Sequence, residues 1–128
     1  MATWSRDELE KIGAAEELQI QPHRRDGTLQ NPRTIWVVRL DNDLYVRSVN
    51  GRSAAWFRGT RARHEGHIRA GGIDKDVTLV DVDGDINDQI DAAYRDKYRR
   101  YAASIIDAIT SEEARAATLR LVPHMSAS

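Results

Sequence analysis

Arginine is concentrated in one stretch of the chain, where it could bind a phosphate or a carboxylate. Between His23 and Gly72 there are ten arginines, no lysine and only four acidic residues. The ten are Arg24, Arg25, Arg33, Arg39, Arg47, Arg52, Arg58, Arg61, Arg63 and Arg69. A guanidinium group makes forked contacts with anionic oxygens, whereas lysine acts as a point charge. A GC-rich genome would raise the overall ratio of arginine to lysine, but it would not explain this clustering.

A predicted β-hairpin would bring several of these arginines together. Residues 34–40 are β-branched and aromatic, 41–43 are typical of a turn, and 44–49 alternate as a returning strand. Because the two arms are antiparallel, Arg33 and Arg47 would lie at the same end of the hairpin. A helix beginning at Ser53 would direct free N–H groups to that end. The candidate anion site comprises Arg33, Thr34, Arg47, Ser48, Arg52, Ser53 and Arg58, bordered by Trp36, Trp56 and Phe57. The alternative is a solvated, arginine-rich edge with the aromatic rings in the core.

Three tyrosines form the second candidate feature. Tyr94, Tyr98 and Tyr101 share one face of a predicted helix. They either pack in the core with their hydroxyl groups near the surface, or line a pocket in which a phenol orients a substrate or donates a proton.

Other short motifs fall short of a site. The run 64–67 (HEGH) lacks the second histidine that a zincin helix needs four positions after the first. The aspartate-rich run 81–85 lacks the later glycine and glutamate of a calcium-binding loop. The chain has no cysteine, which excludes disulfides and thiolate metal sites. We therefore expect no metal site.

Composition predicts one globular domain spanning residues 1–128, with a frayed tail at 123–128. The chain is 41% hydrophobic and 30% charged, and its net charge of −1 makes nucleic acid an improbable partner. No apolar run approaches the roughly 18 residues of a membrane span. The first residues lack the apolar segment of a secretory leader, so we expect a cytoplasmic protein without membrane contact.

Local patterns predict a small antiparallel barrel with flanking helices. Ser5 and Glu8 form a capping box that predicts a helix over 6–15. Apolar residues stepping by three or four predict another helix from 86 to 109, continuous or broken near Ala102. Beside the hairpin, strands are predicted at 18–20, 67–70, 77–82 and 118–123. Five or six strands in hairpin order favour a barrel over a doubly wound sheet.

Three runs resemble a small bacterial family, the domain of unknown function 2255. They are 35–38 (IWVV), 44–52 (LYVRSVNGR) and 55–59 (AWFRG), and the resemblance continues to 119–123. More distantly, the layout is similar to split β-barrel flavoproteins, especially the deazaflavin-dependent nitroreductases. The resemblance implies an α+β fold, namely a six-stranded antiparallel split β-barrel of the FMN-binding type with flanking helices. It also implies a homodimer with the cofactor near the interface.

The same resemblance implies roles for individual residues. Arg33 and Thr34 would lie near a phosphate-binding strand, and Arg47 and Ser48 would line the cofactor ring. The cofactor tail would be held by Arg52, Ser53, Trp56 and Arg58, and the substrate would face Tyr94 and Tyr98. The chain departs from the nitroreductases at 26–33, where they carry a Ser-Gly-basic-x-Arg loop, and at Arg58, where they carry asparagine.

Three functions are compatible with these observations. The first is an oxidoreductase that binds FMN or the deazaflavin F420 and transfers a hydride to a small organic acceptor. The second is a cofactor-free module on the same fold that binds a small molecule or forms a dimer. The third is binding of nucleic acid through the basic stretch. It is the weakest of the three hypotheses, because the net charge of the chain is close to zero.

Overall fold

The computed structural model describes residues 3–82 and 84–124, without the side chains at 61 and 62. Within this part of the chain, the strands are β1 (Leu18–Pro22), β2 (Arg33–Ile35), β3 (Val37–Leu40), β4 (Asp43–Arg47), β5 (Glu65–Ala70), β6 (Ile73–Val82) and β7 (Thr118–Pro123). The helices are α1 (Arg6–Ala14), α2 (Ala55–Arg63), α3 (Ile86–Lys97), α4 (Ala103–Ile109) and α5 (Glu112–Arg115), with a 3-10 turn at Gly51–Ser53.

The seven described strands form one antiparallel sheet in the order β2-β1-β5-β6-β7-β4-β3. Its two edge strands, β2 and β3, are consecutive in the chain and are separated only by Trp36. The chain therefore joins the two edges of the sheet and makes a nearly closed barrel. This confirms the predicted small antiparallel split barrel with flanking helices.

The prediction of a single strand over 34–40 was wrong. The first half of this segment pairs with β1, and the second half pairs with β4. A twisted and tilted sheet that curves into a barrel brings its two edges close together, and at the bend at Trp36 the chain leaves one edge and joins the other. The division accounts for a seventh strand where the sequence predicts five or six.

Strand alternation separates two apolar cores. On β4, Leu44 and Val46 point into the barrel, where Ile12 of α1 joins them. Tyr45 points outward, where it packs in a second cluster with Ile90 and Tyr94 of α3. The predicted alternation along this strand is confirmed, and its outer face is where α3 and α4 attach.

The helix starts follow local capping signals only in part: side chains cap α1 and α5, whereas α2, α3 and α4 have no side-chain cap. The capping box at α1 is confirmed, because the Glu8 backbone N–H donates to Ser5 Oγ over 3.1 Å and Ser5 N–H donates to Glu8 Oε1 over 2.9 Å. The α3–α4 helix is broken near Ala102, as one alternative predicted. Ser53, however, does not cap α2. The 3-10 turn takes up Ser53, so Ala54 occupies the cap position and Ser53 Oγ donates to the Asn50 carbonyl.

The strand predicted over 118–123 is present, and it holds the first residues of the predicted frayed tail to the barrel. Pro123 belongs to β7, and the His124 backbone N–H donates to the Asp76 carbonyl over 3.0 Å. The rest of the predicted frayed tail, 125–128, lies outside the described residues. Among the helices that the structure describes, none has the length and apolar character needed to cross a bilayer.

Candidate functional site

A pocket of about 400 Å³ lies where the bend at Trp36 meets the end of β4. We call it the corner pocket. It is lined by Arg33, Thr34, Ile35, Trp36, Arg47, Val49, Asn50, Trp56, Ile105 and Ile109. Its volume is within the range of small-molecule sites, which are mostly apolar with a few placed polar groups. The corner pocket has that composition.

Half of the predicted cofactor residues line the corner pocket. These are Arg33, Thr34, Arg47 and Trp56. The other four are near it in sequence but are not among its lining residues: Ser48, Arg52, Ser53 and Arg58. The structure thus brings together Arg33 and Arg47 from two separate strands, whereas Arg52 and Arg58 do not line the pocket.

The four remaining residues have separate environments. Arg52 donates to the Ala116 carbonyl over 3.1 Å and lies over the Phe57 ring. Ser53 and Arg58 are exposed. Ser48 is buried, and within the described residues its hydroxyl group has no hydrogen-bond partner. A buried hydroxyl without a partner is costly, and Ser48 is one of the few polar groups of the fold in that state.

Arg47 is buried beneath the corner pocket and is 1% exposed. Its guanidinium makes five hydrogen bonds, with Thr118 Oγ1, Asp91 Oδ1, the Ile109 carbonyl and two oxygens of Asn87. The contact with Asp91 is 2.5 Å long, and the Asp91 side chain is 8% exposed. Since a guanidinium has five N–H donors, Arg47 is saturated by the protein. It joins β4 to α3, α4 and β7 and stiffens the pocket.

Arg33 differs from Arg47 in its freedom. It is exposed on the edge strand β2, beside Thr34. Within the described part of the chain, the guanidinium of Arg33 takes part in no ion pair. Of the two arginines that line the pocket, Arg33 is therefore the one available to an anion.

Two indole rings form apolar walls of the corner pocket. The Trp36 ring stacks on Tyr98 with ring centroids 3.8 Å apart and an interplanar angle of 2°. Trp56 meets Phe57 edge to face, with centroids 5.8 Å apart. Flat aromatic walls of this kind suit a planar ring, because aromatic pairs gain contact energy beyond their buried area.

The predicted substrate-facing tyrosines lie in the outer core. Tyr94 and Tyr98 are 0% and 1% exposed, and neither is among the residues lining the pocket. Burial raises the pKa of both phenols far above the usual range, so neither ionises near neutral pH. The Tyr98 hydroxyl donates to the Glu16 carbonyl over 2.8 Å and accepts from Val37 N–H over 3.3 Å. Tyr98 therefore supports the pocket through Trp36.

Sequence reasoning missed the partners that hold Arg47. Asn87 and Asp91 are four residues apart on the buried side of α3, next to the apolar stripe of Ile90 and Tyr94. Polar residues at that spacing beside an apolar stripe are a signal for a buried partner, and could have been read as one.

In residues 3–82 and 84–124, no group of three or more His, Cys, Asp or Glu side chains could hold a metal ion.

Comparison with protein families gives one match that covers most of the chain. Residues 8–121 match a family described as an uncharacterised protein conserved in bacteria, DUF2255. The chain belongs to the DUF2255 family. This confirms the resemblance read from the three sequence runs. Comparison of the DUF2255 chain with curated proteins gives no match.

Solved structures share the fold of this DUF2255 protein at low sequence identity. The haem storage protein HutZ from Vibrio cholerae has a TM-score of 0.66 and 16% identity, over 94% of this chain and 91% of that chain. An F420 reductase has a TM-score of 0.62 and 12% identity, over 91% and 93%. An FAD-binding protein from Mesorhizobium loti has a TM-score of 0.53 and 17% identity, over 96% and 92%. These similarities show the split-barrel fold of DUF2255.

Proposed function

We propose that this protein binds a flavin or deazaflavin, FMN or F420, in the corner pocket and transfers a hydride to a small organic acceptor. The observation that supports this most is the composition of the pocket, where an uncommitted guanidinium and a hydroxyl at the rim adjoin two indole walls. A flavin has the same two parts, a planar ring and an anionic tail. The chemistry of the donor set therefore fits the cofactor.

Each pocket residue has a definite role in this proposal. Arg33 and Thr34 bind the anionic tail, and Trp36 and Trp56 contact the ring. Arg47 holds the strands that carry them. The bound cofactor supplies the hydride, and the protein supplies binding, orientation and exclusion of water.

We propose supporting roles for the remaining predicted residues. Arg52, Ser53 and Arg58 are exposed on the segment from the end of β4 to α2, and they would contact the part of the tail that extends beyond the pocket. Ser48 is buried at the start of that segment and would act by supporting the pocket from the inside. Tyr94 and Tyr98 act behind Trp36, so their contribution to the substrate side is through the position of that indole.

Shared fold also supports this ligand class. The similar structures include an F420 reductase, an FAD-binding protein and a haem storage protein. All three ligands combine a planar ring system with anionic groups. Hemin is consequently the competing ligand that a binding experiment must include.

Titration of the purified protein tests the proposal. We expect FMN or F420 to bind with a change in cofactor absorbance or fluorescence, and Arg33→Ala to weaken binding about tenfold or more, because a charge-assisted hydrogen bond contributes roughly 1.5–3 kcal/mol. Arg99→Ala is the matched control, since Arg99 is exposed just beyond the end of α3 and is not among the residues that line the pocket. If neither cofactor binds, or if Arg33→Ala binds as tightly as the parent, the proposal is wrong.

One observation favours a second function, a cofactor-free module that forms a homodimer. Val49 and Ile105 line the corner pocket, yet each is 45% exposed. Exposed apolar side chains at a pocket rim are typical of a contact surface. If this function is correct, sedimentation velocity will show a dimer that Ile105→Glu dissociates, and no cofactor will bind. A monomeric parent protein would rule it out.

A further inference from the structure

A second cavity, of about 410 Å³, lies at the end of the barrel where β3 turns into β4. We call it the turn pocket. The residues that line it include Trp4, Arg6, Leu9, Arg39, Asp43 and Leu121. Among the described residues it shares no lining residue with the corner pocket, which lies at the other end of the β3–β4 hairpin. The turn pocket is therefore a separate site.

The turn pocket lies where β4 and β7 stop pairing. The ladder between these strands ends at Leu44 and Leu121, while β7 continues along β6 to Pro123. At this point the Trp4 indole N–H donates to the Leu121 carbonyl over 2.9 Å. Trp4 and Leu9 are both buried beneath the opening. The end of the barrel is thus closed by a fixed apolar floor.

Arg39 presents a guanidinium that the fold holds in place at this pocket. Its Nε donates to the Asp41 carbonyl over 2.8 Å. Its aliphatic stem lies against α1, because a Cβ at Gly13 would come within 3.1 Å of Arg39 Cβ. Within residues 3–82 and 84–124, its Nη1 and Nη2 make no hydrogen bond and no ion pair. A fixed guanidinium with both Nη groups free can make a forked contact with two carboxylate oxygens.

Arg6 adds a second positive charge to the turn pocket. It is the first residue of α1 and is exposed. In the part of the chain that the structure describes, it pairs with no carboxylate. The two acidic residues that follow it have other partners: Asp7 pairs with Lys11 over 3.1 Å, and Glu8 pairs with Lys75 over 2.6 Å.

Asp43 is the acidic residue among the described lining residues. Strand alternation places its carboxyl group on the same face as Tyr45, opposite to the interior face of Leu44. The pKa of the Tyr45 phenol agrees with this placement, because burial raises it and the Asp43 charge raises it further. The Asp43 carboxylate is therefore directed away from the two arginines.

We propose that the turn pocket binds a small organic monocarboxylate. The carboxylate accepts from Nη1 and Nη2 of Arg39, and Arg6 supplies the second cation. The apolar part of the ligand lies against Trp4 and Leu9. A carboxylate suits this site better than phosphate, because the floor gives a hydrocarbon group a contact that phosphate lacks. The proposal is independent of the function proposed for the corner pocket.

Benzoate is the probe that tests this site. The ¹⁵N-labelled full-length protein is titrated with sodium benzoate at constant ionic strength and followed by NMR. We expect saturable shifts of the Trp4 indole N–H and the Arg39 Nε–H. The indole N–H signals of Trp36 and Trp56, which line the corner pocket, should not shift with them. Absence of saturable shifts at Trp4 and Arg39 would overturn the proposal.

Variants of Arg39 test the forked contact. Arg39→Met keeps a stem against Gly13 and should weaken benzoate binding at least about tenfold, because charge-assisted hydrogen bonds are lost. Arg39→Lys keeps the charge without the fork and should also bind more weakly than the parent. Arg99→Met is the matched control, since Arg99 is exposed and lines neither pocket. Unchanged binding in Arg39→Met would refute the assignment, and so would binding that is lost in Arg33→Met instead.

A second ligand and a second variant keep the test decisive if Arg39→Met fails to fold. Benzamide has the same ring without the charge, so it should bind at least about tenfold more weakly than benzoate. Arg6→Met removes an exposed side chain, so the urea unfolding midpoint should not change, while benzoate binding weakens about two- to fivefold. Equal binding of benzamide and benzoate, or full affinity in Arg6→Met, would contradict the proposed site.

Discussion

Replacement of Arg47 by methionine should destabilise the protein much more than replacement of any other arginine of the corner pocket. The substitution removes the cation that accompanies the buried Asp91 carboxylate. Among the described residues, the ion pair that remains for Asp91 is with Arg115, whose Nε is 3.8 Å away. It also leaves the Ile109 carbonyl and the Asn87 side chain without this donor. The unfolded chain has no such deficit, because water solvates all of these groups.

The expected loss follows from the cost of an uncompensated buried charge. Removal of one partner of a buried ion pair typically costs about 3–5 kcal/mol, and we expect Arg47→Met to lower the free energy of unfolding by that amount. The double variant Arg47→Met/Asp91→Leu no longer buries a lone charge. Its loss should therefore be smaller than the sum of the single losses, with a coupling energy of at least about 2 kcal/mol.

Urea unfolding followed by tryptophan fluorescence measures these free energies. Arg33→Met is the matched control, because Arg33 lines the same pocket but is exposed. Its effect on stability should stay within about 0.5 kcal/mol, as for most surface substitutions. A loss below about 1 kcal/mol for Arg47→Met would refute the buried network, and so would strictly additive losses at Arg47 and Asp91.

Two further predictions concern stability. A Cβ at Gly71 would lie 2.4 Å from the Lys11 carbonyl oxygen, whereas a Cβ at Gly72 meets nothing within 4 Å. Both glycines have positive φ, so Gly72→Ala should lower the free energy of unfolding by roughly 1–2 kcal/mol. Gly71→Ala should lower it by about 1–3 kcal/mol more, because its Cβ also clashes. Thermal unfolding measures both, and equal losses would contradict the steric reason. Burial lowers the pKa of Lys97 to about 8 in the folded state, against 10.5 for a free side chain, so the unfolded chain binds more protons between those values. The unfolding free energy of the parent, relative to Lys97→Met, should therefore rise with pH across that window, and a difference independent of pH would refute the lowered pKa.

Elements with strong local signals could be predicted from the sequence. The capping box at Ser5 and Glu8 fixed the start of α1, and the alternation of β4 correctly placed Leu44 and Val46 on one face and Tyr45 on the other. Such features depend on residues within a few positions of one another, so periodicity and capping chemistry are sufficient to find them.

Arg33 and Arg47 show what the sequence could not distinguish. Both were predicted to bind an anion, and both do line one pocket. Only the fold separates them, since the main partner of Arg47 is Asp91, 44 positions further along the chain. A guanidinium saturated by the protein and one open to a ligand have the same sequence signature.

By itself, the amino-acid sequence determined the family, the antiparallel barrel class and the concentration of arginine in one half of the chain, because each of these is a property of composition or of neighbouring residues. Only the tertiary structure decided that the chain bends at Trp36 and joins opposite edges of the sheet. It also decided which arginine is buried and that the Lys97 amine contacts the Val37 carbonyl. These outcomes depend on contacts between distant segments, which form only when the sheet closes and α3 packs against its outer face.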